Sequence, residues 1–210
     1  MKKYLTEFIG TFFLVLVVSL TANNHFGPIA IGSVLMVMVY AGGHISGGLY
    51  NPAVTLAILY RRKIELKEAV IYWIAQIIGG CLAGFIAMHL SGNTPGIEPG
   101  LGRTSFQATL TEVIFTFALA YVVLNVATHS KTQGNSYFGL AIGFTILVSA
   151  FAGGPISGGA FNPAVGTGIT FAHAIWGGGN WDHLWIYLVG PIVGGGLAGV
   201  VFDYLNPEEM

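Results

Sequence analysis

Long apolar runs without charged side chains dominate the chain. Asp, Glu, Lys and Arg are absent from residues 8–60, 69–97 and 113–130. A helix needs about 20 apolar residues to cross the hydrocarbon core of a bilayer, and each of these runs approaches or exceeds that length. The pattern predicts six membrane-spanning helices, at residues 4–22, 28–43, 68–90, 107–128, 137–153 and 183–205.

Two shorter apolar segments, 52–60 and 163–172, each follow an Asn-Pro-Ala triplet. The triplets are Asn51-Pro52-Ala53 and Asn162-Pro163-Ala164. Asn is a favoured helix cap, and Pro is tolerated at the first helical position, where its missing N–H has no partner to lose. Nine or ten residues make about 13–15 Å of helix, or half of a bilayer core. The segments are therefore predicted to be half-helices that meet head to head in the membrane.

The two halves of the chain repeat each other. Residues 30–54 and 141–165 are identical at 15 of 25 positions, and 71–84 resembles 186–199. Each half contains three predicted spans, and an odd number of spans makes the second half enter the membrane from the opposite side. The sequence predicts a single membrane domain over 1–210, built from inverted repeats at 1–91 and 105–205.

Composition agrees with a membrane protein. Apolar residues make up 54% of the chain and charged residues 8%, whereas soluble domains have about 25% charged residues. The near balance of 8 basic and 9 acidic residues gives no reason to expect a nucleic-acid partner. The six His residues form no pairs at helical spacing and none lies beside the single Cys, so no catalytic site, metal site or cofactor is expected.

The basic residues predict the orientation. With six spans, seven of the eight basic residues fall on the side of the N-terminus: Lys2, Lys3, Arg61, Arg62, Lys63, Lys67 and Lys131. Cytoplasmic loops carry such an excess of Lys and Arg. The chain is therefore expected to be a multi-pass protein of the plasma or inner membrane with cytoplasmic termini. Arg103 alone lies on the outer side, where it either folds over the mouth or remains solvated.

The Gly-rich stretches "AGGHISGGLY" and "AGGPISGGAF" precede the half-helices and look extended. Non-helical backbone at membrane depth is tolerated where it is buried in protein or lines a water-filled cavity. The pattern therefore predicts a pore lined by backbone carbonyls, with amide donors of Asn51 and Asn162 at its centre. The positive ends of both half-helices point at this centre and repel cations.

These motifs together resemble the aquaporin (major intrinsic protein) family over essentially the full chain. The resemblance is carried by the two Asn-Pro-Ala triplets, by Glu7 and Glu112, by "GHISGG" at 43–48 and by "GPIVGGGLAG" at 190–199. It implies an all-α membrane fold of six transmembrane helices and two re-entrant half-helices. It also implies a homotetramer in the lipid bilayer, with one pore per protomer and passive flow of water or small neutral solutes.

The resemblance gives Glu7 and Glu112 the role of bracing the half-helix loops from behind. The alternative is that each carboxylate faces a water-filled crevice. His44 lies in the first of these loops and is expected to hydrogen-bond to it, with proton sensing as the alternative.

The family's selectivity filter has four positions, which correspond here to Ile31, Ala150, Gly159 and Val165. Water-selective members typically carry Phe, His, a small residue and Arg at these places. The substitution of Val for Arg removes five donors and a fixed charge, so a wide, apolar filter is expected. The alternative for Ile31 is a filter position one helical turn away in the same span, which has no fixed landmark.

Several solutes fit such a filter. Water, glycerol, urea and hydrogen peroxide are expected, while metalloid hydroxides of the arsenite or boric acid type, ammonia, or water alone are alternatives. Gly166 stands where glycerol-selective relatives usually carry Asp, which disfavours a dedicated glycerol facilitator. A membrane enzyme, a coupled transporter and a structural junction protein are the rival classes.

Overall fold

A computed structural model describes residues 1–22, 24–92 and 96–209, and all regular elements in these ranges are helical. The eight α-helices are α1 Lys2–Thr21, α2 Gly27–Ser46, α3 Pro52–Tyr60, α4 Leu66–Ser91, α5 Ser105–Val123, α6 Phe138–Ser157, α7 Pro163–Trp176 and α8 Leu184–Leu205. A π-helical turn, Leu124–Thr128, prolongs α5, and short 3-10 turns occur at Ser130–Thr132 and Pro207–Glu209. Within the described residues, six helices are long and apolar enough to cross a membrane, which confirms the predicted spans.

The Gly-rich stretches before the half-helices are mostly helical, contrary to the prediction. Helix α2 continues to Ser46 and α6 to Ser157, so only residues 47–50 and 158–161 are non-helical. Helix geometry pairs the backbone groups internally, which a membrane interior favours. Both helices stop at a glycine with a φ of 94°, Gly47 and Gly158, where a left-handed residue ends the helix.

The half-helices differ in length. Helix α3 has the predicted bounds, whereas α7 continues to Trp176, four residues further than predicted. Its 14 residues make about 21 Å of helix. The longer α7 reaches beyond the half-bilayer depth expected from its sequence.

Packing follows the repeat. Helix α1 packs on α4 as α5 packs on α8, and each half-helix packs on the third span of the other repeat, α3 on α8 and α7 on α4. Glycine permits these close approaches. A Cβ at Gly195 would lie 2.4 Å from the carbonyl oxygen of Ala53, and one at Gly80 would lie 2.6 Å from that of Ala164. The two half-helices are thereby held with their N-termini at the same depth.

Candidate functional site

The two Asn residues of the triplets meet in the centre of the protein. The Asn51 side-chain amide donates to the carbonyl oxygen of Phe161 at 2.9 Å, and the Asn162 amide donates to that of Tyr50, also at 2.9 Å. Their Oδ1 atoms cap α3 and α7 by accepting from the backbone N–H of Ala53 and Ala164. An amide nitrogen has two hydrogens, so each Asn retains a second N–H for another acceptor.

The residues that accept these crossed hydrogen bonds have unusual backbone angles. Tyr50 and Phe161 have φ values of 48° and 49°, in the left-handed region that bulky residues rarely occupy. Such a conformation persists only where the surroundings fix it. In both loops the fixing group is a buried carboxylate.

Glu7, on α1, holds the first loop. Its carboxylate accepts hydrogen bonds from the Ser46 hydroxyl at 2.6 Å and from the backbone N–H groups of Leu49 at 3.0 Å and Tyr50 at 2.7 Å. The Gln76 amide on α4 is a fourth donor, at 2.8 Å. Glu7 is fully buried, so these four donors replace its hydration.

Glu112, on α5, holds the second loop in the same way. It accepts from the Ser157 hydroxyl at 2.7 Å and from the N–H groups of Ala160 at 3.0 Å and Phe161 at 2.6 Å. It is also fully buried. The carboxylates therefore bind loop backbone and do not face a crevice.

Several supporting side chains were not singled out in the sequence. Tyr72 and Tyr187 donate to the last carbonyls of α2 and α6, those of Ser46 at 2.8 Å and Ser157 at 2.6 Å. The signal for this pair lies in the sequence, because "IYW" and "IYL" occupy matching places in the third spans. His44 lies in the last turn of α2, and it has no hydrogen bond to the loop in the part of the chain that the structure describes.

The four predicted filter residues surround one cavity together with both Asn residues. Ile31, Ala150, Gly159 and Val165 all line a small cavity of about 20 Å³ that also contacts Asn51 and Asn162. Ile31, Ala150 and Gly159 also line a larger outer cavity of about 430 Å³, between the ends of α1 and α6 and the start of α2. These three residues therefore lie where the outer cavity narrows toward the Asn pair.

The small cavity is apolar and narrow. About 20 Å³ is enough for one water molecule. The aliphatic side chains that fill the remaining space come from four helices: Leu14, Val18, Leu35, Leu119 and Ile146. The structure thus shows less space than the substitution of Val for Arg suggests, and none of the described residues that line this cavity is charged.

Packing explains why residue 166 is a glycine. A Cβ at this position would lie 2.4 Å from the Cβ of Tyr187, so α8 occupies the space that a side chain needs. Arg103 is exposed and does not line the described part of either cavity. No group of three or more metal-ligating side chains occurs among the described residues.

The fold and the site define a helical membrane channel, and the comparisons with known proteins identify its family. The family model described as major intrinsic protein matches residues 1–202, so the chain belongs to the major intrinsic protein family. It is an integral multi-pass membrane protein and a passive channel for water and small solutes.

Relatives of known class match the chain over nearly its full length. Nodulin-26 of Glycine max is 38% identical over 98% of this chain and 78% of its own length. Glycerol uptake facilitator protein-like 6 of Lactiplantibacillus plantarum is 37% identical over 100% of both chains. The structure of the aquaglyceroporin from Plasmodium falciparum has a TM-score of 0.87 at 23% identity, covering 99% of this chain and 98% of that chain, which shows a common fold.

Proposed function

We propose that solutes pass from the outer cavity, between the filter residues Ile31, Ala150, Gly159 and Val165, to Asn51 and Asn162. The observation that carries this proposal is the single small cavity that touches all six residues. The second N–H of each Asn amide donates a hydrogen bond to the passing molecule. The N-termini of α3 and α7 add positive potential at the same place and repel cations.

The filter selects by size and charge. It has no charged or aromatic side chain, so it places few specific hydrogen bonds on a solute. Neutral solutes such as water, glycerol, urea and hydrogen peroxide are the proposed substrates. Metalloid hydroxides of the arsenite or boric acid type and ammonia fit the same chemistry. The cavity volume of about 20 Å³ supports strict water conduction as the second candidate.

The loop-bracing role belongs to Glu7 and Glu112, because their hydrogen bonds end on the residues next to Asn51 and Asn162. The Asn-Pro-Ala triplets start the half-helices and form the centre of the pore. His44 remains a candidate for contact with the first loop, through movement of its side chain.

The assembly that we propose is a homotetramer in the bilayer with one pore in each protomer. Each protomer is one domain of two inverted repeats, 1–91 and 105–205, with both termini cytoplasmic in a plasma or inner membrane. The excess of basic residues on one side supports this orientation. We also propose that the protein transports without catalysing a reaction.

Stopped-flow measurements on proteoliposomes test the filter. Water, glycerol, urea and hydrogen peroxide are offered to the native protein and to Val165→Arg, with Val165→Leu as the control that adds size without charge. We expect the native protein to pass the larger solutes and Val165→Arg to lose them while it keeps water. Passage of water alone by the native protein would refute the permissive filter and leave the strict water channel.

A further inference from the structure

A fully buried arginine lies at the inner end of α3, on the side of the basic loops. Arg61 follows the last residue of this half-helix, and its side chain is 1% exposed. The guanidinium carbon lies 4.3 Å from the centre of the Phe202 ring on α8. An arginine is almost never buried so fully without partners, because the loss of hydration is large. Its partners therefore indicate what it holds in place.

The partners of Arg61 lie on α8 and on the segment after it. Nη1 lies 3.1 Å from Oδ1 of Asp203 and donates to the carbonyl oxygen of Glu209 at 3.0 Å. Nη2 lies 3.6 Å from the Glu209 carboxylate. We call residues 206–209 the inner strap. Arg61 joins the end of α3 to this strap.

The other side of the inner strap contacts the loop between the π-helical turn and α6. The Glu209 carboxylate accepts from the Ser130 N–H at 2.9 Å and from the Ser130 hydroxyl, and it lies 3.4 Å from Nδ1 of His129. Asn206 contacts Nε2 of His129 at 3.2 Å, and Glu208 pairs with Lys131 at 3.3 Å. The strap thus connects two segments that are far apart in sequence.

The outer side of the protein has a comparable arrangement. Residues 96–100 lie against the end of α7, because a Cβ at Gly96 would be 2.8 Å from the ring of His173. Gly100 donates to the carbonyl oxygen of Ile156 at 3.0 Å, and Ile97 lines the outer cavity. In each repeat, therefore, the segment after the third span contacts the end of a half-helix. The outer contact includes backbone and ring atoms, and the inner contact includes charged groups.

We propose that Arg61 is a positioning residue and that the inner strap fixes the inner end of α3. Helix α3 has only nine residues, so a shift at its inner end is transmitted to Asn51 at its other end. The Glu7 network holds the Asn51 end, and the Arg61 cluster holds the opposite end. The strap thereby contributes to the alignment of the Asn51 amide with the pore.

The test compares two substitutions with the same chemistry in the same strap. Glu209→Gln removes the charge that faces Arg61 and Ser130. Glu208→Gln removes the charge that pairs with Lys131 and lies near His129. It is the matched control because Glu208 forms no hydrogen bond or ion pair with Arg61 or Ser130 in the part of the chain that the structure describes. Hydrogen exchange of the protein in phosphatidylcholine–phosphatidylglycerol vesicles is followed at the amides of Ser130, Arg61 and Lys63. The amide of Arg61 donates to the carbonyl of Ala57, and the amide of Lys63 donates to that of Ile58, both at the end of α3.

We expect Glu209→Gln to speed exchange at Ser130 by about tenfold, the value of a lost hydrogen bond to a charged group. Faster exchange at Arg61 and Lys63 and a loss of water permeability should accompany it. Glu208→Gln should change none of these. Unchanged exchange at Ser130 would show that the strap is undocked, and a change at Ser130 alone would show that it does not position α3. Either result overturns the proposal.

A second pair of variants tests Arg61 directly. Arg61→Met should reproduce the permeability loss of Glu209→Gln, and Arg61→Lys, which keeps the charge, should restore part of it. Equal losses of permeability in Arg61→Met and Arg61→Lys would refute the proposal that positioning depends on the charge. If Arg61→Met does not fold, the two Glu variants still decide. The hydrogen-exchange readout does not depend on which solute the filter admits, so failure here is distinguishable from failure of the proposed filter.

Discussion

The two bracing carboxylates share most, but not all, of their contacts. Glu7 and Glu112 both accept from a serine hydroxyl and from two successive backbone N–H groups. Glu7 has a fourth donor, Gln76, and the repeat alignment places Pro191 at the matching position. A proline at that position offers no donor. The second brace therefore has one hydrogen bond fewer.

The difference extends around the half-helices. Thr55 on α3 contacts Gln76 at 3.0 Å, whereas its counterpart Gly166 on α7 has no side chain. Trp73 donates to the Pro52 carbonyl at 3.0 Å, and its counterpart is Leu188. The hydrogen bonds that set the loop backbone are thus retained in both repeats. The polar contacts around them are replaced by tighter packing in the second.

Neutralising each brace gives the largest expected effect. Glu7→Gln and Glu112→Gln place an N–H group against buried donors, at a cost of about 3–5 kcal/mol in the free energy of unfolding. The loss should be larger for Glu7→Gln, because four donors are affected. Thermal unfolding of the reconstituted protein measures both, with the exposed Glu65→Gln as control. Equal losses would mean that the Gln76 contact adds nothing.

Adding one methyl group at Gly166 should destabilise the second half. Gly166→Ala forces the new Cβ against Tyr187, at a cost of about 1–3 kcal/mol. The control is Gly154→Ala in α6, where a Cβ would meet no atom within 4 Å. Gly154→Ala should be neutral or stabilising, because alanine favours the helix by up to about 1 kcal/mol. Similar unfolding temperatures for the two variants would contradict the packing explanation.

The fourth donor can be tested by itself. Gln76→Leu removes one hydrogen bond to the Glu7 carboxylate and should lower the free energy of unfolding by about 1–3 kcal/mol. Combined with Glu7→Gln, it should cost less than the sum of the two single changes, since both disrupt the same contact. Combined with Glu112→Gln, the effects should add. If the losses in free energy of unfolding are additive in both combinations, Gln76 does not stabilise the Glu7 carboxylate.

The smallest expected effect is a pH dependence of the contact between Glu209 in the inner strap and Ser130. Hydrogen bonds from Ser130 lower the pKa of the Glu209 carboxyl, helped by the nearby His129 and Arg61. A lowered pKa means that the contact is fully formed above the ordinary carboxyl pKa of about 4.3 and is lost as the pH falls through the lowered value. Exchange at Ser130, corrected for the intrinsic rate, should therefore rise only in acid. The Gly100 amide on the outer side is the internal control and should not respond.

Much of the fold was predictable because the membrane restricts the choices. Apolar length located six spans, and Asn followed by Pro located the start of both half-helices. The ends of the helices were less predictable than the positions of the spans and the starts of the half-helices. The glycine-rich sequences before the half-helices suggested extended chain, but helical hydrogen bonding continued until Gly47 and Gly158 adopted a positive φ. The end of α7 was missed because the prediction limited this helix to half a bilayer, although the glycines that follow Trp176 mark its end.

Residues of the site could be predicted where both repeats carry them at matching positions. Glu7 and Glu112 stood out because they occupy matching places in charge-free spans. Gln76 and Arg61 have no counterpart in the other repeat, so no comparison within the sequence pointed to them. The burial of Arg61 depends on Phe202, Asp203 and Glu209, which lie more than 140 residues away along the chain.

The sequence by itself determined the class of protein, the internal repeat, the two capped half-helices and the absence of an arginine at position 165. These features depend on local hydrophobicity, capping and internal identity, all of which can be read along the chain. Only the tertiary structure decided how wide the cavity beside Val165 is. Its width depends on aliphatic side chains from four helices, such as Leu119 and Ile146, that converge on Val165. Their convergence is a consequence of helix packing, which no local pattern records.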